Sequence, residues 1–218
     1  MAALLKGLVR ERQVPIERIR RLDALEKIAA SVLLLFLAAR LAGPVIGQGD
    51  IASGLFLVSE TIVVIFILAR RPTDHLSTRP FDWLVGFGGT LMPLLAVPPE
   101  PPGLVPVPVV LGLMLFGFLF QIAAKLSLRR SFGIVAANRG LKVSGAYAVT
   151  RHPMYAGYMI SQTGFLLSGP TLWNALVIPL GFILLYFRMI AEERVLAQDP
   201  DYRRYMERVR FRVLPPFL

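Results

Sequence analysis

Long apolar runs alternate with short polar segments along most of the chain. Six runs come close to the roughly 20 residues that a helix needs to cross a bilayer: residues 28–46, 51–69, 83–97, 107–124, 154–168 and 171–190. The fifth is marginal in length, which is consistent with partial insertion, and Gly169-Pro170 joins it to the sixth as a hairpin. The pattern predicts an all-α fold, a polytopic transmembrane helical bundle of about six spans.

Composition favours the same class of protein. The 218-residue chain is 55% hydrophobic and 17% charged, whereas soluble domains usually carry about 25% charged residues. The chain has no cysteine, which excludes disulfides and thiolate metal sites. We therefore expect an integral membrane protein whose chemistry uses no metal.

The net charge of +10 reflects basic residues that fall between the apolar runs and are not gathered on one module. Seven Lys and Arg residues precede the first run, three follow the second, six follow the fourth and seven lie between Arg188, near the end of the sixth run, and the C-terminal end. Because cytoplasmic loops carry the excess of Lys and Arg, both termini are predicted to be cytoplasmic. This alternation indicates membrane topology rather than nucleic acid binding, and residues 1–23 are predicted to form a basic lead-in on the membrane surface.

Two charged residues, Arg40 and Glu60, lie within the first two runs at similar depth. A charge inside the membrane is by default a functional candidate. Opposite charges at similar depth on adjacent helices more often form a structural ion pair, and we favour that interpretation.

Polar residues crowd both ends of the hairpin. The segment "RHPMY" opens the fifth run with His152, Pro153 and Tyr155, and proline suits the first turn of a helix whose free N–H groups can bind an anion. The segment "RMIAEE" places Arg188 and Glu192 four residues apart, on one helix face. A short hairpin brings the chain back to the membrane depth at which the hairpin began, so the two clusters should meet at the cytoplasmic interface. They predict a pocket for a polar, zwitterionic, nucleoside-like molecule that opens toward lipid.

The segments "LKVSGAYAVTRHPMYAGY", "RMIAEERVL", "YRRYMERV" and "LPPF" resemble the isoprenylcysteine carboxyl methyltransferase family and its relatives, the phospholipid methyltransferases. The resemblance covers roughly residues 129–216. It implies a polytopic membrane enzyme that uses S-adenosylmethionine, with residues 1–125 as the basic lead-in and four transmembrane helices. Residues 126–218 would then form the methyltransferase core, made of a cytoplasmic connector, the helical hairpin with its cofactor site and a C-terminal segment.

The resemblance also implies roles for individual residues. Arg188 corresponds to the arginine that contacts the acceptor, and its planar fork suits a carboxylate bidentately. An amine acceptor would need a base, for which Glu193 or Glu192 is the candidate. Lys142 departs from the family, where a bulky aliphatic residue is common. The residues implied to hold the cofactor are Leu141, Lys142, Tyr147, His152, Pro153, Met154, Tyr155 and Glu192.

Several functions fit these residues. The first is carboxyl O-methylation of an isoprenylcysteine-like acceptor, and the second is N-methylation of a phospholipid. A membrane reductase that uses NADPH has a related helical arrangement at its C-terminal end. A membrane protein without enzymatic activity would instead use Arg40 and Glu60 as its working charges.

Overall fold

The computed structural model describes residues 14–48, 51–97 and 102–213, and the regular elements in these ranges are helices. One isolated β-bridge joins Leu76 to Ala137. The expected all-α fold is confirmed. The α-helices of the described ranges are α1 (Ile16–Gln48), α2 (Ile51–Ala69), α3 (Pro80–Leu91), α4 (Val107–Leu128), α5 (Pro153–Leu167), α6 (Leu172–Leu196) and α7 (Pro200–Arg208).

Two segments of the described ranges are long and apolar enough to cross a membrane, Val107–Ser131 and Leu172–Leu196. They correspond to α4 and α6, and so to the fourth and sixth predicted spans. Helix α3 has 12 residues and α5 has 15, fewer than the roughly 20 of a straight crossing. The count of six spans therefore stays a prediction.

Helix α1 begins at Ile16, well before residue 28, where the first span is predicted to begin. The described part of the lead-in is thus continuous with the first predicted span, and its place on the membrane surface stays a prediction. Residues 1–13 lie outside the described part of the structure, as do the side chains of Arg40 and Glu60. The ion pair between Arg40 and Glu60 therefore stays a prediction.

Glycines let the backbones of α4 and α5 touch. A Cβ atom on Gly157 would lie 2.6 Å from the Gln121 nitrogen, and one on Gly117 would lie 2.8 Å from the Gly157 oxygen. Helix α6 packs mainly on α3, and α1 packs on α2. The two helices of the hairpin are therefore held by α4 and α3 more than by each other.

A buried ion network joins the start of α1 to residues beyond α2 and α4. The Glu26 carboxylate lies 2.7 Å from Arg70 Nη1 and 2.9 Å from Arg139 Nη2. Asp23 Oδ1 lies 2.8 Å from Arg70 Nη2 and 2.6 Å from Arg139 Nη2. The attraction between two carboxylates and two guanidinium groups offsets part of the free-energy cost of removing these charges from water.

The same glutamate fixes the connector, defined here as residues 129–152 between α4 and α5. Glu26 Oε1 accepts hydrogen bonds from the backbone nitrogens of Ile134 at 2.7 Å and Val135 at 3.1 Å. Both of these residues are buried, and backbone hydrogen bonds also tie the connector to the loop between α2 and α3. The connector is therefore a packed part of the fold, and it carries one wall of the candidate site.

Candidate active site

The end of the described chain holds the backbone just before α5. Pro153 occupies the first turn of α5, as predicted, and His152 precedes it with φ −128°. The His152 nitrogen donates a hydrogen bond to the Arg212 oxygen at 2.8 Å, and the Arg151 nitrogen donates to the Phe211 oxygen at 2.9 Å. These bonds fix the position from which the polar side chains of "RHPMY" extend.

Polar residues at the start of α5 contact those near the end of α6, as the hairpin geometry predicts. The Tyr155 hydroxyl donates a hydrogen bond to Glu192 Oε1, and Arg188 Nε donates to the same oxygen at 3.3 Å. His152 Nδ1 lies 3.7 Å from Glu192 Oε2. The His152 and Tyr155 rings stack with centroids 5.5 Å apart. Glu192 thus links the two helices.

A cleft, here called the polar cleft, lies between the connector, the start of α5, the end of α6 and α7. Pro153 is buried and does not line it. The other seven residues expected to hold a cofactor all do: Leu141, Lys142, Tyr147, His152, Met154, Tyr155 and Glu192. The fold therefore brings together residues spread over about fifty positions of the chain, as a ligand site requires.

A second cavity, here called the apolar cavity, adjoins the polar cleft. Phe132 and Met154 line both spaces and stand between them. Arg188 lines the apolar cavity, whereas Glu192 lines the polar cleft. Most other residues around the apolar cavity are apolar side chains from several helices and the connector, including Leu34, Val63, Leu94, Ile134 and Leu185.

Arg188 is buried, with 4% of its surface exposed, and hydrogen bonds hold it on several sides. Nη1 donates to the Gly86 oxygen at 3.4 Å and to Thr90 Oγ1 at 3.2 Å, and Nη2 donates to the Gly133 oxygen at 3.0 Å. A guanidinium has five N–H donors, so these bonds and the one to Glu192 leave a single N–H without a described acceptor. One donor, rather than the pair of a bidentate clamp, is available to a substrate in this conformation.

Glu193 is buried and not solvated. Its Oε1 lies 2.9 Å from Arg151 Nε and 3.3 Å from His152 Nε2, and its Oε2 accepts a hydrogen bond from Arg212 Nε at 3.0 Å. It lines neither the polar cleft nor the apolar cavity. These contacts suit Glu193 to positioning His152 and holding the C-terminal segment, rather than to acting as a base.

Helix α7 also contributes to the site, which the sequence did not predict. The Tyr205 hydroxyl donates a hydrogen bond to the Tyr147 oxygen at 2.7 Å. Burial raises the pKa of Tyr205 to about 12, so the phenol keeps its proton near neutral pH. Tyr202 lines the polar cleft from the same helix. The signal was present in "YRRYMERV", since tyrosines three residues apart lie on one face of a charged helix.

Residues 107–199 match the phospholipid methyltransferase family. The matched range runs from α4 through the connector and the hairpin, and so contains most of the polar cleft. The resemblance to this family is confirmed for that part of the chain, and with the two apolar helices it indicates a membrane methyltransferase. No curated protein and no solved structure matches the chain.

Proposed function

We propose that the chain is an integral membrane methyltransferase that uses S-adenosylmethionine and acts on a lipophilic acceptor. One observation carries the proposal: two cavities adjoin at Phe132 and Met154, one containing Glu192 and the other Arg188. A polar cofactor and an apolar acceptor need separate spaces that meet at one point. The family match supports methyl transfer as the reaction between them.

The residues of the polar cleft fit S-adenosylmethionine, which, when bound, supplies a methyl group carried on a cationic sulfonium. Glu192 offers a carboxylate to cationic groups and hydroxyls, and His152 offers a ring nitrogen. Leu141 and Tyr147 supply apolar and aromatic surface for a nucleoside. Lys142, which departs from the family pattern, also lines the cleft, and a contact through its backbone survives the change of side chain.

The lining of the apolar cavity suits an acceptor that has an apolar part and an acidic group. Of the described residues that line it, Arg188 carries a positive charge and none is Asp or Glu. A carboxylate acceptor is already charged and needs no proton removed, so the chain has only to desolvate and orient it. An isoprenylcysteine-like acceptor has both the apolar part and the carboxylate.

A phospholipid amine is the second candidate acceptor, because the matching family is described as phospholipid methyltransferase. An amine must lose a proton, and both glutamates near the cavities are already held by cationic or hydroxyl donors. Glu192 accepts from Arg188 and Tyr155, and Glu193 pairs with Arg151 and Arg212. Because these contacts engage both carboxylates, an acceptor that needs no base is favoured, and a carboxylate is such an acceptor.

We also propose a multi-pass arrangement with both termini and the polar cleft at the cytoplasmic face. The alternation of Lys and Arg between the apolar runs supports this orientation. A cofactor from the cytoplasm would reach Glu192, while an acceptor dissolved in the bilayer would reach Arg188. The two reactants would thus approach the site from different phases.

Methyl transfer to matched acceptors tests the proposal. The purified full chain in lipid nanodiscs is given S-adenosylmethionine labelled on its methyl group. It is tested with an S-prenylated cysteine that has a free carboxylate, the same molecule as its carboxamide, and phosphatidylethanolamine. We expect label in the acid and none in the carboxamide, with mild base releasing it as methanol because the product is an ester. Base-stable label in phosphatidylethanolamine alone would support the amine acceptor, and no label in any of the three would contradict a methyltransferase of either kind.

A further inference from the structure

Thr90 is a polar residue of the mostly apolar helix α3, and its side chain contacts Arg188. Arg188 Nη1 donates a hydrogen bond to Thr90 Oγ1 at 3.2 Å, and the Thr90 hydroxyl in turn donates to the Gly86 oxygen at 2.9 Å. Arg188 Nη1 donates to the same Gly86 oxygen at 3.4 Å. Because a hydroxyl has one proton to donate, this arrangement directs the proton of Thr90 at Gly86 and leaves its oxygen to accept from the guanidinium.

The bond to Gly86 alone would indicate no special role, since threonines inside helices often bond to the carbonyl four residues before them. Thr163 on α5 makes the same kind of bond, to the Met159 oxygen at 2.7 Å, and the residue is exposed. Thr90 differs in two ways. Its oxygen also accepts from a buried arginine, and it lines the apolar cavity together with that arginine.

One face of α3 holds α6 at two points. Asp82, Gly86 and Thr90 follow one another at intervals of four residues, so they lie along one face of the helix. Asp82 forms an ion pair with Arg194, whereas Gly86 and Thr90 accept from Arg188. The two points are about two turns apart on α3. Packing of α3 on α6 thus fixes the position of the Thr90 oxygen relative to Arg188.

Contacts to all three of its nitrogens orient the guanidinium of Arg188. Nη1 is held by α3, Nη2 donates to the Gly133 oxygen at 3.0 Å, and Nε donates to Glu192 Oε1 at 3.3 Å. A group that is oriented before its ligand arrives needs less ordering during the reaction. Among the described side chains that accept from Arg188, Thr90 is the one that another helix supplies. Its contact can therefore be removed by substitution without a change of charge.

We infer that Thr90 is a positioning residue for the acceptor, whose hydroxyl holds the Arg188 guanidinium in the orientation that binds the acidic group of the acceptor. The inference rests on the proposed function, in which Arg188 contacts an acceptor in the apolar cavity. Helix α3 precedes residues 107–199, the range that matches the family. The inference therefore concerns a part of the chain to which the match assigns no role.

Three variants of the full chain in lipid nanodiscs test the inference: Thr90→Val, Thr90→Ala and Thr90→Ser. Methyl transfer to an S-prenylated cysteine with a free carboxylate gives kcat/KM for the acceptor, and calorimetry gives the affinity for S-adenosylhomocysteine. We expect valine and alanine to lower kcat/KM at least about threefold, as the loss of one hydrogen bond predicts. Serine keeps the hydroxyl and should stay within about threefold of the parent. Cofactor affinity should also stay within about threefold, because Thr90 does not line the polar cleft.

Thr163→Val is the matched control, since it removes a hydroxyl with the same bond inside its helix but no contact to an arginine. It should leave kcat/KM within about threefold of the parent. A double-mutant cycle adds a test that a purely structural role would not pass. If Thr90 acts through the planar group of Arg188, Thr90→Val should change kcat/KM less than threefold in an Arg188→Lys background. Rescue by Thr90→Ser decides if Arg188→Lys is too slow to measure.

Several results would overturn the inference. These are a decrease below threefold for Thr90→Val, a loss for Thr90→Ser as large as that for valine, or an undiminished effect in the Arg188→Lys background. A parallel loss of affinity for S-adenosylhomocysteine, or failure of both hydroxyl-free variants to fold, would show a general structural role instead. A parent that methylates the acid separates these results from a failure of the proposed function, whereas a parent that methylates no acceptor overturns both.

Discussion

Arg188 and Glu192 lie one turn apart on α6 and share a hydrogen bond of 3.3 Å, yet they line different cavities. Tyr155 contacts both of them, since its hydroxyl donates to Glu192 and its ring centroid lies 5.3 Å from the Arg188 guanidinium carbon. A substitution of Arg188 and a substitution of Glu192 can therefore affect different ligands. This separation gives each residue its own prediction.

Arg188→Lys should impair methyl transfer while sparing cofactor binding. Lysine keeps the charge but lacks the planar group that reaches Gly86, Thr90 and Gly133 together. We expect affinity for S-adenosylhomocysteine to stay within a few-fold of the parent and turnover to fall at least about tenfold, or roughly 1.4 kcal/mol of barrier. Calorimetry and a methyl-transfer assay on the same preparation measure the two effects.

The competing explanation is that Arg188 only neutralises Glu192 and holds helices together. In that case Arg188→Lys would keep most of the activity. Arg188→Ala would then lose cofactor affinity and thermal stability in parallel. Comparing both variants in both assays separates a role in acceptor binding from a structural one.

Glu26→Gln should destabilise the protein strongly, although residue 26 lies outside both cavities. The variant keeps the size of the side chain but leaves Arg70 and Arg139 buried with one carboxylate instead of two. Breaking a buried ion pair typically costs about 3–5 kcal/mol, which thermal unfolding would register as a large decrease in melting temperature. Asp74→Asn is the control, because its ion pair with Arg20 is exposed and should contribute little. Equal effects of the two variants would show that the buried network does not stabilise the fold.

Gly157→Ala should loosen the contact between α4 and α5. A methyl group at this position would overlap the backbone of α4, and such overpacking costs about 1–3 kcal/mol. Gly112→Ala, also in a helix of this pair, is the matched control, since nothing described lies within 4 Å of the added atom. There alanine should be neutral or stabilising by up to about 1 kcal/mol, the usual gain over glycine inside a helix. If both alanines were tolerated equally in thermal unfolding, close approach of the backbones would not be what holds this helix pair.

Topology is tested by reporter fusions at Glu100 and at the C-terminus. The Lys and Arg alternation predicts that these two points lie on opposite sides of the membrane. Reporters active on one side only should therefore give opposite signals. Signals from the same side would contradict the proposed orientation and the even number of crossings.

The sequence predicted the parts of the site that depend on local signals and on hairpin geometry. Pro153 marks the start of α5, and the spacing of Arg188 and Glu192 puts them on one face of α6. Because a short connection brings the end of α6 back to the membrane depth at which α5 begins, the contact of Tyr155 with Glu192 could also be predicted. Those inferences required no knowledge of distant contacts.

Pairings between remote parts of the chain could not be predicted in this way. Glu26 and Ile134 are 108 residues apart, and no periodicity connects them. In the sequence, the acidic residues at the start of α1 resemble a solvated, charged lead-in, and Glu193 resembles an exposed end of a helix. Their burial depends on arginines supplied by other segments, which only the folded structure identifies.

The most direct test of the central claim, that the polar cleft binds S-adenosylmethionine through Glu192, is calorimetric titration of the parent chain and Glu192→Gln. Each is titrated with S-adenosylhomocysteine and with NADPH, after thermal unfolding has shown that the variant is folded. A charge-assisted hydrogen bond contributes about 1.5–3 kcal/mol, so we predict that the parent binds S-adenosylhomocysteine and that the variant binds it roughly ten- to a hundredfold more weakly. Neither protein should bind NADPH. Binding of NADPH without S-adenosylhomocysteine, or equal affinity of the two proteins for S-adenosylhomocysteine, would contradict the claim.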